Sequence, residues 1–270
     1  MYKSVNVEEI FKINKIYTAF KSDYDSNYYF DGEYHNFWEI VIVTDGEIGV
    51  TAGSDVFVLK KGQAVIHEPM EFHRLWSEGS TRPEIIIFTF GAENMPHYSS
   101  KIFEIEDVFQ ADKILEDIQK GFGTADFQDV DGVKINGIKY QTAVKKLEIF
   151  ILETISQKLI EDMPVKTKGA GNYAKAVSVM EENLEKNLSV SDIAKMCNMS
   201  EIGLKKTFSK YSGMGVMAYF NRLKIAEATD MLKRGISVRE VSLNLGFLDQ
   251  NYFSTVFKRI DGNPPSFYRK

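Results

Sequence analysis

SVSDIAKMCNMSEIGLKKTFSKYSG (189–213) and SVREVSLNLGFLDQNYFSTVFKRIDG (237–262) are two versions of one pattern, 48 residues apart. Each opens on Ser-Val, and Ser189 or Ser237 can accept a hydrogen bond from the first turn of a helix. A short helix follows with a small residue near its middle, Ala194 in one copy and Ser242 in the other. A tight turn then leads to a second helix whose buried side ends on Phe208 or Phe257. The small residues let the paired helices approach closely, and the phenylalanines fill the junction. A solenoid would need three or more copies. Two copies joined by one helix read instead as two helix-turn-helix units.

The joining helix sets their spacing. Residues 216–233 give 18 helical positions, or ~27 Å at 1.5 Å per residue. Adjacent major-groove faces on one side of B-DNA lie ~34 Å apart. With the width of each motif added, one chain can reach two consecutive grooves.

Charge supports the same division. The whole chain carries −5, which by itself argues against nucleic acid as a partner. Residues 170–270, however, hold 15 Lys and Arg against 10 Asp and Glu. The remaining 169 residues hold 18 against 28. A basic third on an acidic remainder is the asymmetry expected when one domain meets phosphate.

At 270 residues the chain is long enough for two domains, and 44% hydrophobic with 26% charged residues is ordinary globular composition. One cysteine, Cys197, excludes an internal disulfide framework and fits a reducing compartment. No apolar run approaches the ~18 residues of a spanning helix. The start, MYKSVNVEEIFKINK, lacks the apolar core of a secretory signal. The expectation is a cytoplasmic protein with no membrane partner.

Upstream of the repeats, residues 17–90 read as closely spaced short strands without helices between them. Asp45-Gly46 inside EIVIVTDGEIGVTAG predicts a hairpin turn. From 107 the period becomes helical, with a loop at 123–137 and a long helix over 139–162. In that helix Val144, Leu147, Ile151, Ile155 and Leu159 line one face, and Ile149, Phe150 and Leu152 make a second face apolar. Burial within one chain and packing against a second subunit both explain it. MPVKTKGAGN (163–172) reads as a linker. The fold class is therefore α+β: a β-barrel over 1–106, a helical dimerisation segment over 107–162, the linker, and an all-α domain over 173–270.

The segment 188–270 resembles the DNA-binding domain of the AraC/XylS family of bacterial transcription regulators. The resemblance rests on GFLDQNYFSTVFKRIDGNPPSFYRK, and in the first motif on DIAK, Met199-Ser200, Leu204, Phe208, Gly213, Tyr219 and Leu223 to Ala226. Met214-Gly215 and Ser242 depart mildly from the family pattern. The resemblance implies base-reading positions at Ile202, Lys205 and Lys206 on the first recognition helix, and at Gln250, Asn251 and Thr255 on the second. The chemistry agrees. Gln and Asn bond bidentately to adenine, Lys bonds guanine, and Ile meets a thymine methyl. Lys210, Arg222, Lys258 and Arg259 would be phosphate contacts, which set affinity without reading sequence. It further implies double-stranded DNA, RNA polymerase and a second copy of the chain as partners, and a role as an activator. Cys197, beside a turn, reads as a small packed residue with no nucleophilic role.

EYHNFWEIVIVTDGEIGV (33–50) and KKGQAVIHEPMEFHRL (60–75) are similar, more loosely, to the small cupin barrel that precedes this domain in sugar-responsive family members. Catalytic cupins bind a metal at positions that fall here on Glu33, His35, Glu39 and His73. Family regulators usually lack the metal, so these groups are expected to satisfy one another by hydrogen bonds, with no cofactor. Tyr34, Phe37, Trp38, Phe72, Arg74 and Trp76 add aromatic faces suited to a polar small molecule such as a carbohydrate. Trp38, Glu39, His73, Arg74 and His35 are the candidate effector contacts. Two alternatives stand beside the effector-controlled regulator: a metal-dependent cupin enzyme fused to a DNA-binding domain, and a constitutive regulator whose barrel only dimerises.

Overall fold

The computed structural model describes residues 11–98, 100–122, 137–156 and 167–268. They fall into two compact units, Met1–Val50 with Phe57–Pro164, and Thr51–Val56 with Val165–Lys270.

The N-terminal half holds eight strands: β1 Lys12–Asp23, β2 Trp38–Asp45, β3 Glu47–Ala52, β4 Asp55–Lys60, β5 Gln63–His67, β6 His73–Ser77, β7 Glu84–Glu93 and β8 Ile102–Glu104. They make a five-stranded sheet in the order β1-β7-β2-β5-β8 and a three-stranded one in the order β4-β3-β6. Asp45-Gly46 is therefore not a hairpin turn. β2 pairs with β5 and β7, so the Asp-Gly step carries the chain from one sheet to the other. Gly46 turns at φ +71°, and a Cβ there would stand 2.9 Å from Pro83 Cα.

Two helices, α1 Val108–Phe122 and α2 Ile138–Ser156, complete this unit. Ile40, Ile42, Ile86, Phe88 and Phe90 from the large sheet share a core with Ala111, Ile114, Leu115, Ile118, Leu147 and Ile151. Val41, Val43, Ile85 and Ile87, which alternate with them, are also buried. Burial of both faces explains why these strands read as unbroken apolar runs. β1 departs from strict alternation because its register against β7 shifts at Ile13/Lys15 and Ile16/Thr18. Near the first shift the Ile13 amide donates to the buried Glu148 carboxylate on α2, at 2.8 Å. The second apolar face expected of α2 is largely absorbed within the unit: Phe150 is buried and Leu152 packs on the core, while Ile149 stays half exposed. Leu159 lies outside the described residues.

The C-terminal half contains α3 Lys168–Glu181, α4 Val190–Met196, α5 Glu201–Ser212, α6 Val216–Lys233, α7 Val238–Asn244 and α8 Gln250–Asp261, closed by a 3-10 turn at Pro265–Tyr268. The expected linker needs correction. Residues 168–172 are helical, because Thr167 accepts from the Ala170 amide and Ala170, Tyr173, Ala176, Val177 and Met180 bury one face of α3.

The repeat extends to hydrogen bonding. Ser189 with Asp192, and Ser237 with Glu240, form full capping boxes at the starts of α4 and α7. Both helices also end alike. The Met199 amide bonds back to Ala194 O, and the Phe247 amide to Ser242 O, over a left-handed residue, Asn198 or Gly246. The Ala194/Ser242 positions are thus doubly constrained, by packing and by the returning amide.

Gly246 should resist substitution. At φ +68° an added Cβ would lie 2.3 Å from Glu185 O, so Gly246→Ala is expected to cost more than about 2 kcal/mol in urea unfolding. Gly171→Ala, in open space on α3, should instead stabilise by roughly 0.5–1 kcal/mol.

Candidate nucleic-acid interface and ligand cavity

In each motif one helix face is buried and the opposite face is presented outward. On α5, Leu204 and Phe208 are fully buried, whereas Ile202, Lys205, Lys206 and Lys210 are exposed. On α8, Phe253, Val256 and Phe257 are buried, whereas Gln250, Asn251, Thr255, Lys258 and Arg259 are exposed. Ile202 and Gln250-Asn251 stand in the first turns of their helices, the end that meets base edges in this kind of motif. Ser200 caps α5, and Asp249 caps α8 through the amides of Asn251 and Tyr252, which fixes the backbone under those residues. Lys205 reaches Glu201 at 3.9 Å, and Thr255 donates to Asn251 O. Arg222 differs from the rest: it lies half-buried on α6. Ile202, 68% exposed, is an apolar side chain that nothing in its own fold covers. Cys197 is buried at the end of α4, and burial pushes its thiol up, away from nucleophilic use.

A cavity of about 310 Å³ lies between the two sheets, lined by Thr18 and Phe20 of β1, Glu39 of β2, His73 and Leu75 of β6, and Ile87 and Thr89 of β7. Tyr24, Tyr28, Phe30, Glu33 and Phe37 close its rim. Tyr24 and Tyr28 stack with centroids 3.7 Å apart. Burial raises the Tyr28 phenol, with Tyr24 adding to the effect, so both its donor and acceptor capacities persist at neutral pH.

Glu33, His35, Glu39 and His73 come together with all four donor atoms within 4.8 Å of one another. His73 Nε2 lies 3.4 Å from Glu39 and 3.7 Å from Glu33, and His35 Nε2 lies 3.6 Å from Glu39. The expected mutual hydrogen bonding is not found: the Nε2 atoms of His35 and His73 are buried without a hydrogen-bond partner. Burial opposes ionisation of Glu39, but His35, His73 and His67 hold its carboxyl below the usual carboxylate range. Burial likewise opposes charging of His73, yet Glu33 and Glu39 outweigh it and raise the imidazole.

Of the five candidate effector contacts, Glu39 and His73 line the cavity, and His35 adjoins it through Glu39 and a stack on Phe37 at 3.9 Å. Trp38 and Arg74 do not line it. Each neighbours a lining residue on its strand and so points to the opposite face. Trp38 packs against the helix-side core and Tyr98, while Arg74 donates to Phe30 O and lies 3.9 Å over the Tyr29 ring. Sequence reading missed Thr18, Phe20, Ile87 and Thr89. Their signal is a register: Glu39 pairs with both Thr89 and His67, and Thr18 with Thr89, which makes a polar row across an otherwise apolar face.

The family model described as "AraC-like ligand binding domain" matches residues 16–119, and the model described as "Helix-turn-helix domain" matches 193–270. The chain belongs to the AraC family. It is similar to the Msm operon regulatory protein of Streptococcus mutans, 27% identical over 53% of this chain and 51% of that one. It is 28% identical to the raffinose operon transcriptional regulatory protein RafR of Pediococcus pentosaceus, over 39% of each. A third relative, the HTH-type transcriptional regulator YfiF of Bacillus subtilis, is 23% identical over 87% of this chain and 77% of its own. The chain thus spans about half or less of the first two relatives. The family and these relatives are transcription regulators rather than enzymes.

Within the AraC-type DNA-binding domain, Lys224 on α6 was not anticipated. It is 4% exposed, and its Nζ donates to Lys186 O at 2.8 Å and to Leu245 O at 2.7 Å. It also faces the rings of Phe220 and Phe247. It ties the end of α7 to the chain ahead of α4, which holds the second motif at a set position. The sequence signal was its place one helical turn from Phe220 and from Ala228, both buried. Burial pulls its pKa down to about 8. Lys224→Met should keep the packing but strand two carbonyls, costing ~1–3 kcal/mol in denaturant unfolding. Between pH 8 and roughly 10.4 the unfolded chain holds this proton and the folded chain releases it, so wild type should gain stability over the variant as pH rises through that window.

Proposed function

We propose that this protein is a sequence-specific transcription activator controlled by a small polar effector, carbohydrate-like in chemistry, bound in the N-terminal cavity. The observation that carries the DNA-binding half is the matched pair of outward faces on α5 and α8, each rigidly capped and each opposite a buried aromatic. Ile202, Lys205 and Lys206 read one end of the site, and Gln250, Asn251 and Thr255 read the other. Lys210, Arg222, Lys258 and Arg259 bind phosphate. Aromatic rings stacked at the cavity rim, with Thr18, Thr89, Glu39 and His73 as polar groups, support the effector reading. The raffinose operon relative supports its carbohydrate class. Activation brings RNA polymerase as a further partner.

We assign dimerisation to α2. Ile138, 86% exposed, and Ile149, 52% exposed, are 11 residues apart and so share one stripe three turns long. Ile149→Glu is expected to shift the protein towards monomer in sedimentation velocity, with no loss of secondary structure; an unchanged dimer would move the interface elsewhere.

Selection of binding sites from random DNA tests the reading helices. Gln250→Ala with Asn251→Ala should relax preference at one end of the selected site by ~1–3 kcal/mol per lost bidentate contact, leaving the other end intact. Arg259→Ala should weaken every sequence alike and lower the salt slope by about one. Unchanged preference in the double variant would remove both residues as readers.

A further inference from the structure

We propose that Glu33, His35, Glu39 and His73 form a binding site for one divalent first-row transition-metal ion at the mouth of the N-terminal cavity. This goes beyond the effector reading and does not depend on it.

The argument begins with the orientation of the two imidazoles. His35 Nδ1 lies 2.9 Å from Phe37 O, and His73 Nδ1 lies 3.2 Å from Glu71 O. A backbone carbonyl only accepts, so each Nδ1 carries the proton. In the neutral ring Nε2 then presents a lone pair. These are the two buried Nε2 atoms without a hydrogen-bond partner, and both face carboxylates. A lone pair turned towards an anion in a buried setting is repulsive unless a cation stands between them.

Distance separates a proton from a metal. An imidazolium–carboxylate hydrogen bond closes to about 2.7–2.9 Å. The observed separations are 3.4, 3.6 and 3.7 Å. Two donors each ~2.1 Å from a tetrahedral centre stand roughly 3.4 Å apart, which matches the spacing here. Carbonyl bonds to the remote ring nitrogens are also how protein metal sites orient their histidines.

Charge balance points the same way. Two carboxylates and two neutral imidazoles sum to −2, which a dication neutralises, and Glu39 is 4% exposed. Two nitrogen donors favour zinc, cobalt, nickel, iron or manganese over magnesium or calcium. Backbone pairing holds the donors in place, with Glu33 bridged to His73 and Glu39 set in β2. Because Glu39, His73 and Glu33 also line the cavity, a bound ion would border the space an effector occupies.

The test uses the full chain, stripped with chelator and titrated with Co²⁺ and Zn²⁺. The expected results are one equivalent per chain by elemental analysis, a Co²⁺ ligand-field spectrum with nitrogen and oxygen donors, and a rise in melting temperature with Zn²⁺ but not Mg²⁺. Glu33→Gln alters an exposed side chain and should fold normally, yet weaken Zn²⁺ binding at least about tenfold. His35→Gln should abolish the Co²⁺ spectrum, with circular dichroism confirming the fold. Absence of stoichiometric metal in folded wild-type protein would overturn the proposal. So would equal affinity in wild type, Glu33→Gln and His35→Gln.

Discussion

A β-sheet has only two faces, and here the large sheet must serve two different neighbours with them. Residues such as Ile40, Ile42, Ile86, Phe88 and Phe90 turn to the helices, and packing there is dense and wholly apolar. The residues between them turn to the smaller sheet, where they need only border a cavity. This side tolerates Thr18, Thr89, Glu39 and His67, which would be costly on the other. Period-two alternation thus divides structural from functional residues along the same strands. The shifts of register in β1 belong to the same arrangement, since they let one strand change which side chains face each neighbour.

The DNA-binding half rests on how short helices are ended. A seven-residue helix leaves nearly all its terminal backbone groups without helical partners, so α4 and α7 depend on their caps. Capping boxes satisfy the first turns, and bonds back to Ala194 and Ser242 satisfy the last. Both turns then deliver the following helix at a similar angle, which is why two outward faces present comparable sets of side chains. Lys224 adds a bond across the interior of that half, where an ammonium or an amine can each supply two donors to two carbonyls.

The polar cluster at the cavity mouth shows how backbone can decide the chemistry of a side chain. Neither histidine is distinguished by composition. Each is committed by a carbonyl within two residues, Phe37 O for His35 and Glu71 O for His73, which leaves the remote nitrogen as the available donor. His67 stacks on His73 at 4.4 Å and thereby limits its rotation. Orientation of this kind depends on a loop at one ring and a strand start at the other, and no periodicity reports it.

Much of this protein was legible from its residues because the relevant physics is local. The repeated Ser-Val openings, the glycine-marked turns and the 3–4 spacing of apolar residues prescribe capped helices and their outward faces wherever they occur. The helix at 216–233 and the exposed positions on α5 and α8 were readable for that reason. Partners distant in sequence were not readable. Asp45-Gly46 resembles a hairpin turn locally, yet β2 takes β5 and β7 as neighbours, so only the completed sheets reveal a crossover. Residues 168–172 look like a linker until Tyr173 and Ala176 find a core that holds the helix. Trp38 and Arg74 sit beside the right residues but face the wrong way, because strand parity is settled by register. The sequence by itself determined the elements and the chemical inventory, since both follow from neighbours a few residues apart. Tertiary structure alone decided which side chains share a cavity and which imidazole nitrogens face carboxylates, since those depend on strands brought together from across the chain.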